Sequence, residues 1–194
     1  MDARHIVELQ KEATRRWHGP AEMPAAASEL DELVVAQHRA NFDLWHEEDE
    51  ARDPQATPER MVEIKRAIDR LNQRRNDLME RIDGALLRAA GEQRVEAPLH
   101  SETPGMMIDR LSILELKRFH TAEEIARADG DESHAQRNRE RITVLTEQRG
   151  DLRDALDALW AEVMSGKRRF KLYRQLKMYN DPALNPVLYR GRGR

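Results

Sequence analysis

Two apolar seams, each interrupted by one arginine, constrain this chain more than any other feature. Between residues 64 and 85, Ile64, Ile68, Leu71, Arg75, Leu78, Ile82 and Ala85 recur in steps of four and three. Between residues 142 and 163, Ile142, Leu145, Arg149, Leu152, Leu156, Leu159 and Val163 keep nearly the same rhythm. Such spacing is a stripe along one side of a long helix, and the stripe must be covered by other helices. The arginines add a condition. A guanidinium in a seam is costly unless an opposite charge and filled hydrogen bonds accompany it. The partners are therefore expected to be carboxylates on the helices that face the seams.

Composition agrees with long helices, at 36% charged and 5% aromatic residues. A length of 194 residues fits one helical domain, expected over residues 1–187 with a frayed tail at 188–194. Cysteine is absent, which excludes disulfides and thiolate metal sites. Met1 to Gln10 has no apolar leader core, and no run approaches the length of a membrane span, so a cytoplasmic protein is expected. The net charge of −3 is uneven, because residues 165–194 carry nine Lys or Arg against Asp181 alone. A basic segment that folds back on an acidic body explains this better than a phosphate or nucleic-acid surface, so nucleic acid is not an expected partner.

Punctuation divides the chain into helices. Helix 1 is expected over Asp2 to Trp17, ended by Gly19-Pro20, with Ile6, Leu9, Ala13 and Trp17 on one stripe. Ser28 caps a second helix that runs to about Arg52, before Asp53-Pro54. Thr57-Pro58-Glu59 starts a third that ends at Gly91, and Thr103-Pro104 repeats that start signal for a fourth. Asp129-Gly130-Asp131 reads as a tight turn, and a fifth helix follows to about Met164. A last helix is expected over Lys167 to Tyr179.

A shift of 74 residues aligns the two halves without gaps. It sets Trp45-His46 on Phe119-His120, Arg75 on Arg149, Asp77-Leu78 on Asp151-Leu152, and Asp83 on Asp157. The expected fold is accordingly all-α: a pseudo-two-fold four-helix bundle from two duplicated hairpins (28–90 and 104–165), plus flanking N- and C-terminal helices.

At about 100° per residue, the wheel of the second helix buries Leu30, Val34, Leu44 and Trp45. Asn41, Glu48 and Arg52 share that arc, and His38, Phe42 and Asp49 lie at its edge. His46 is a boundary residue. In the fourth helix Ile108, Leu111, Phe119 and Ala122 define the buried side, with Glu115 in its middle and Glu123 at the edge. A polar layer is expected near mid-bundle. It would use Arg52, Arg75 and Arg149 to hold an anion, with His38, Asn41 and Trp45 as further ligand contacts. Glu48, Asp49 and Glu115 are the candidate catalytic carboxylates. Asp49, Glu115 and Glu123 are the candidate ligands for a divalent ion such as Mg²⁺. The competing expectation is a purely structural ion-pair layer. His46-x-x-Asp49 and His120-x-x-Glu123 reverse the Glu-x-x-His order of bundle metal sites, and both histidines look peripheral.

Glu47-Glu48 with Glu80-Arg81-Ile82-Asp83 resembles the acidic helix pairs of all-α nucleotide pyrophosphohydrolases, although the wheel turns Glu80 to solvent. A more specific resemblance rests on three separated motifs. They are His38-x-x-Asn41-Phe42-x-Leu44-Trp45-His46-x-Glu48-Asp49-x-Ala51-Arg52; Ser101-Glu102-Thr103-Pro104-Gly105 with Ile108-Asp109-Arg110-Leu111-Ser112-Ile113-Leu114; and Tyr179-Asn180-Asp181-Pro182-x-Leu184-Asn185-Pro186. In these, the chain resembles the DUF4254 family over about residues 5–187. The resemblance implies an α-helical bacterial protein with a loose link to surface-polysaccharide genes, and no activity. Thr103, Gly105 and the free N–H groups of the fourth helix are a further candidate anion seat. The expected function is binding, or conversion, of an anionic small molecule such as a phosphorylated compound or nucleotide sugar. One alternative is a non-enzymatic helical scaffold that docks on a glycan-assembly protein, with the polar layer purely structural; another is a metal-dependent enzyme like the all-α nucleotide pyrophosphohydrolases. There is no Gly-rich phosphate loop and no nucleophile elbow, so the sequence names no reaction.

Overall fold

A computed structural model describes residues 1–20, 22, 26–127, 131–176 and 183–185. It contains five helices: α1 (Ala3–Trp17), α2 (Glu29–Glu50), α3 (Pro58–Ala90), α4 (Pro104–Ala126) and α5 (Glu132–Met164). Side-chain oxygens start them as the sequence suggests. Ser28 accepts from the Asp31 N–H, Thr57 from Arg60 and Thr103 from Met106. Gly91 ends α3 at φ 68°, in the region that favours glycine. Asp129-Gly130 lies outside the described residues, and Asp131 caps α5 by accepting from the His134 N–H.

α2 packs along α3, and α4 along α5, as two antiparallel hairpins of similar length. α1 lies across α2, α4 and α5 and closes the core. Its Ile6, Val7 and Ala13 join Val34, Ile82, Ile108, Leu111, Leu156 and Trp160 in the buried cluster. All seven residues of each seam are buried or half-buried. Two pairs of residues that are 74 apart touch across the hairpins. His38 meets Ser112, and the His46 ring lies 5.7 Å from that of His120.

Position 83 and its counterpart 157 show what local sequence could not. Each aspartate receives a backbone N–H from the first turn of another helix. Asp83 Oδ1 accepts from Gly105 at 2.7 Å, and Asp157 Oδ1 from Ala3 at 2.8 Å. Each carboxylate thus sits where the positive end of a helix dipole favours negative charge. The start of α4 is therefore already occupied by the chain's own anion. With Met106 N–H taken by Thr103, the N–H groups of Gly105 and Met106 are not available to a ligand.

The expected C-terminal helix does not form over residues 167–176; residues 177–179 lie outside the described residues. Arg169 bridges to Leu99 instead. Arg169 N–H donates to Pro98 O at 3.1 Å, and His100 N–H to Arg169 O at 2.8 Å. Gln93 bonds both backbone groups of Phe170, whose ring is 2% exposed. Burial of that ring and pairing with 98–100 override helix propensity. The segment then covers Glu80, which accepts from Gln175 N–H at 2.8 Å, so Glu80 does not stand free in solvent. The basic stretch does fold back on acids: Arg168 reaches Glu162 at 3.0 Å, and Arg174 reaches Glu80 at 3.6 Å.

The tight approach of α3 to α4 predicts a specific lesion. A Cβ on residue 105 would stand 2.7 Å from Met79 O and 2.8 Å from Asp83 Oδ1. Gly105→Ala is expected to lower stability by about 1–3 kcal/mol, read by urea unfolding. Gly150→Ala, with no atom within 4 Å of the added carbon, should be neutral or stabilising.

Candidate functional site

Both seam arginines meet a carboxylate, and both carboxylates are on α4. Arg75 Nε donates to Asp109 Oδ1 at 2.7 Å while its Nη2 holds Oδ2, a two-pronged pair. Arg149 and Arg118 share Glu115, the Arg118 bond being 2.9 Å. Asp109 is 3% exposed and Glu115 5%. α2 faces this layer with amides, since Gln37 and Asn41 both donate to Asp109, Asn41 at 3.0 Å. Asp109 was missed as a site residue because the wheel marked only Glu115; its partner Arg75 comes from α3, in the other hairpin, which no local pattern indicates.

A directional chain of hydrogen bonds continues from Asn41. Thr14 Oγ donates to Gln10 O at 3.0 Å, so it must accept from His38 Nε2–H at 2.8 Å. His38 Nδ1 is then the acceptor of the Ser112 hydroxyl at 2.7 Å, and Ser112 Oγ accepts from Asn41 at 2.9 Å. One neutral tautomer satisfies every partner. Burial pushes the His38 pKa down to about 3. The wheel put His38 and Phe42 at an edge, yet both are buried, because α1 covers that side with Thr14 and Trp17.

Other expected site residues lie further out. Trp45 and Asp49 form a wall common to two open clefts. One, of about 390 Å³, also meets Asn41, Glu48, Arg52 and Arg75. The other, of about 590 Å³, also meets Lys117, His120, Glu123 and Arg141. Arg52 is exposed past the end of α2 and reaches Glu48 at 3.4 Å. Glu115 is turned inward to its two arginines and lines neither cleft, so it is not assembled with Asp49 and Glu123. Nor does the fold join Glu47-Glu48 to Glu80 and Asp83. The first pair is at the end of α2, beside the start of α3 where Glu50 binds Arg60; the second is some 22 residues further along α3. On α4, Ala122 is exposed and Thr121 is buried in its place.

Three histidines gather where α1, α2 and α4 meet. One ring nitrogen from each of His18, His46 and His120 lies within 4.8 Å of the others. Each Nδ1 already faces an oxygen: Thr14 O at 2.9 Å, Phe42 O at 2.8 Å and Glu123 Oε2 at 2.8 Å respectively. Phe42 and Phe119 pack against the His18 ring, and Trp45 stacks on His120 with centroids 4.8 Å apart. Burial lowers the His120 pKa, against the pull of Glu123. His46 and His120 are thus not peripheral. The 74-residue register already paired them; His18, just past the end of α1, gave no sequence signal.

These features define an all-α bundle with a buried ionic layer and open clefts beside it. The chain belongs to the DUF4254 family of proteins of unknown function, whose model matches residues 31–172. No curated protein and no solved structure matches it.

The ionic layer predicts a large, directional response. Arg75→Met leaves Asp109 buried with amides alone, and stability should fall by about 3–5 kcal/mol in urea unfolding. Adding Asp109→Leu should restore only part of that loss, because it removes an acceptor from the buried amides of Gln37 and Asn41.

The pH dependence has two opposed parts. His38 binds its proton more weakly in the folded state, so its contribution is complete above pH 6.5 and is lost as pH falls toward 3. Burial raises the Asp83 pKa from 3.8 to about 6, so this group costs stability as pH rises through that window. Unfolding measured from pH 3 to 7 should show the acid loss enlarged in Asp83→Asn and reduced in His38→Gln, by about 1.4 kcal/mol per pH unit at most.

Proposed function

We propose that this protein binds an anionic small molecule of the phosphorylated or nucleotide-sugar class at the paired clefts beside Trp45. The observation that carries this is the Trp45–Asp49 wall, which has an open cleft on each side. An indole face suits a base or sugar ring. Arg52 and the outer edge of Arg75 serve one cleft, and Lys117 and Arg141 the other. Lys117 has no ion-pair partner among the described residues. Two clefts on one wall suit a ligand with a ring at one end and phosphates at the other. Arg149 supports the layer beneath, and Asp49 and Glu48 are the accessible bases for any proton transfer.

A second reading makes the protein a helical scaffold in surface-polysaccharide assembly. It is favoured by the pairing of Arg75 with Asp109 and of Arg149 with Glu115, which is what a structural layer requires. Thermal unfolding with nucleoside diphosphates, nucleotide sugars and sugar phosphates separates the two. A ligand at ten times its Kd should raise Tm by roughly 3–6 °C. Trp45→Ala and Arg52→Ala should abolish that rise without lowering the unliganded Tm much. No rise with any of these compounds, in folded protein, rejects the ligand reading in favour of the scaffold.

A further inference from the structure

We infer that His18, His46 and His120 form a binding site for one divalent transition-metal ion. The chemistry starts from tautomers. A carbonyl or carboxylate oxygen only accepts, so each Nδ1 that faces one must carry the proton. That leaves Nε2 as the lone-pair nitrogen on all three rings. Three neutral imidazoles in the same tautomer are a set of metal donors, and the oxygen behind each ring is the partner that metal-bound histidines use to fix orientation. For His120 that partner is the Glu123 carboxylate, as in carboxylate–histidine–metal arrangements.

A second observation is independent of the clustering. His120 Nε2 is buried and has no hydrogen-bond partner. A buried lone pair without a donor carries a desolvation cost, which a cation would remove. Simple aromatic packing explains the ring stacking but not this atom.

The donor set selects the ion. Neutral imidazole suits Zn²⁺, Co²⁺, Ni²⁺ or Cu²⁺ and is a poor substitute for the oxygen shell that Mg²⁺ demands. Tetrahedral Zn–N bonds of about 2.0–2.1 Å put nitrogens roughly 3.3 Å apart, so the rings need to draw in from the 4.8 Å limit. His18 is exposed, and its side is open for a fourth donor. Three histidines with one open position resemble the donor count of catalytic zinc sites rather than closed structural ones. The site does not depend on the anionic ligand, because its ligand is the metal alone.

The test uses the full-length, untagged chain after treatment with chelator. Calorimetric titration with ZnCl₂ should show one equivalent bound, and CoCl₂ should give the visible absorption of a four- or five-coordinate ion. MgCl₂ should give no heat. His18→Gln, a change at an exposed position, should weaken Zn²⁺ binding at least tenfold and alter the Co²⁺ spectrum. His46→Gln and His120→Gln should do the same wherever circular dichroism shows native helix. His134→Gln, on α5, should bind like the parent. Absence of a one-equivalent transition overturns the site. So does equal affinity in folded His18→Gln, which would mean adventitious binding elsewhere.

Discussion

The Asp109 carboxylate is the point on which the bundle's interior turns. It is almost fully buried, and on its own such a charge would be intolerable. Arg75 from α3 and two amides from α2 converge on it, so three helices are held at one level by one side chain of α4. Moving any helix by one turn would leave a buried charge or amide unpaired. Apolar seams alone tolerate such slips, because one Leu resembles another. The ionic layer therefore supplies register, while the seams supply most of the burial.

The layer also explains why His38 is neutral and Asn41 is oriented. Protons run in one direction from Asn41 through Ser112 to His38, and from His38 through Thr14 to a carbonyl. That line ties α1 to the four-helix frame. α1 in turn brings His18 down beside His46 and His120. The histidine cluster thus depends on the same network, although none of its members belongs to it.

Open surface and sealed interior are separated within a few residues of α2. Asn41 looks inward, Trp45 lies at the wall of both clefts, and Asp49 is exposed. Every fourth residue along that line turns about 40° further round the helix, so the line drifts from the core toward solvent. A single stripe thereby serves the core at one end and the wall of two open clefts at the other.

Much of this was legible from residue order. The helix starts at Ser28, Thr57 and Thr103, the two seams, and the demand that Arg75 and Arg149 find carboxylates all follow from local chemistry and period. The partners did not follow. A helical wheel gives direction but not depth, so it could not tell that Asp109 would carry the charge or that α1 would bury His38. It also could not know that Arg169 would pair with 98–100 and that residues 167–176 would form no helix. Contacts between residues far apart in the chain settle such points, and three helices meeting at one corner were needed to turn His18, His46 and His120 into a cluster. The sequence by itself determined the helices and their apolar faces, since these depend on neighbours three and four residues away. Only the tertiary structure decided which polar groups are paired, which are open and which are left with a free lone pair.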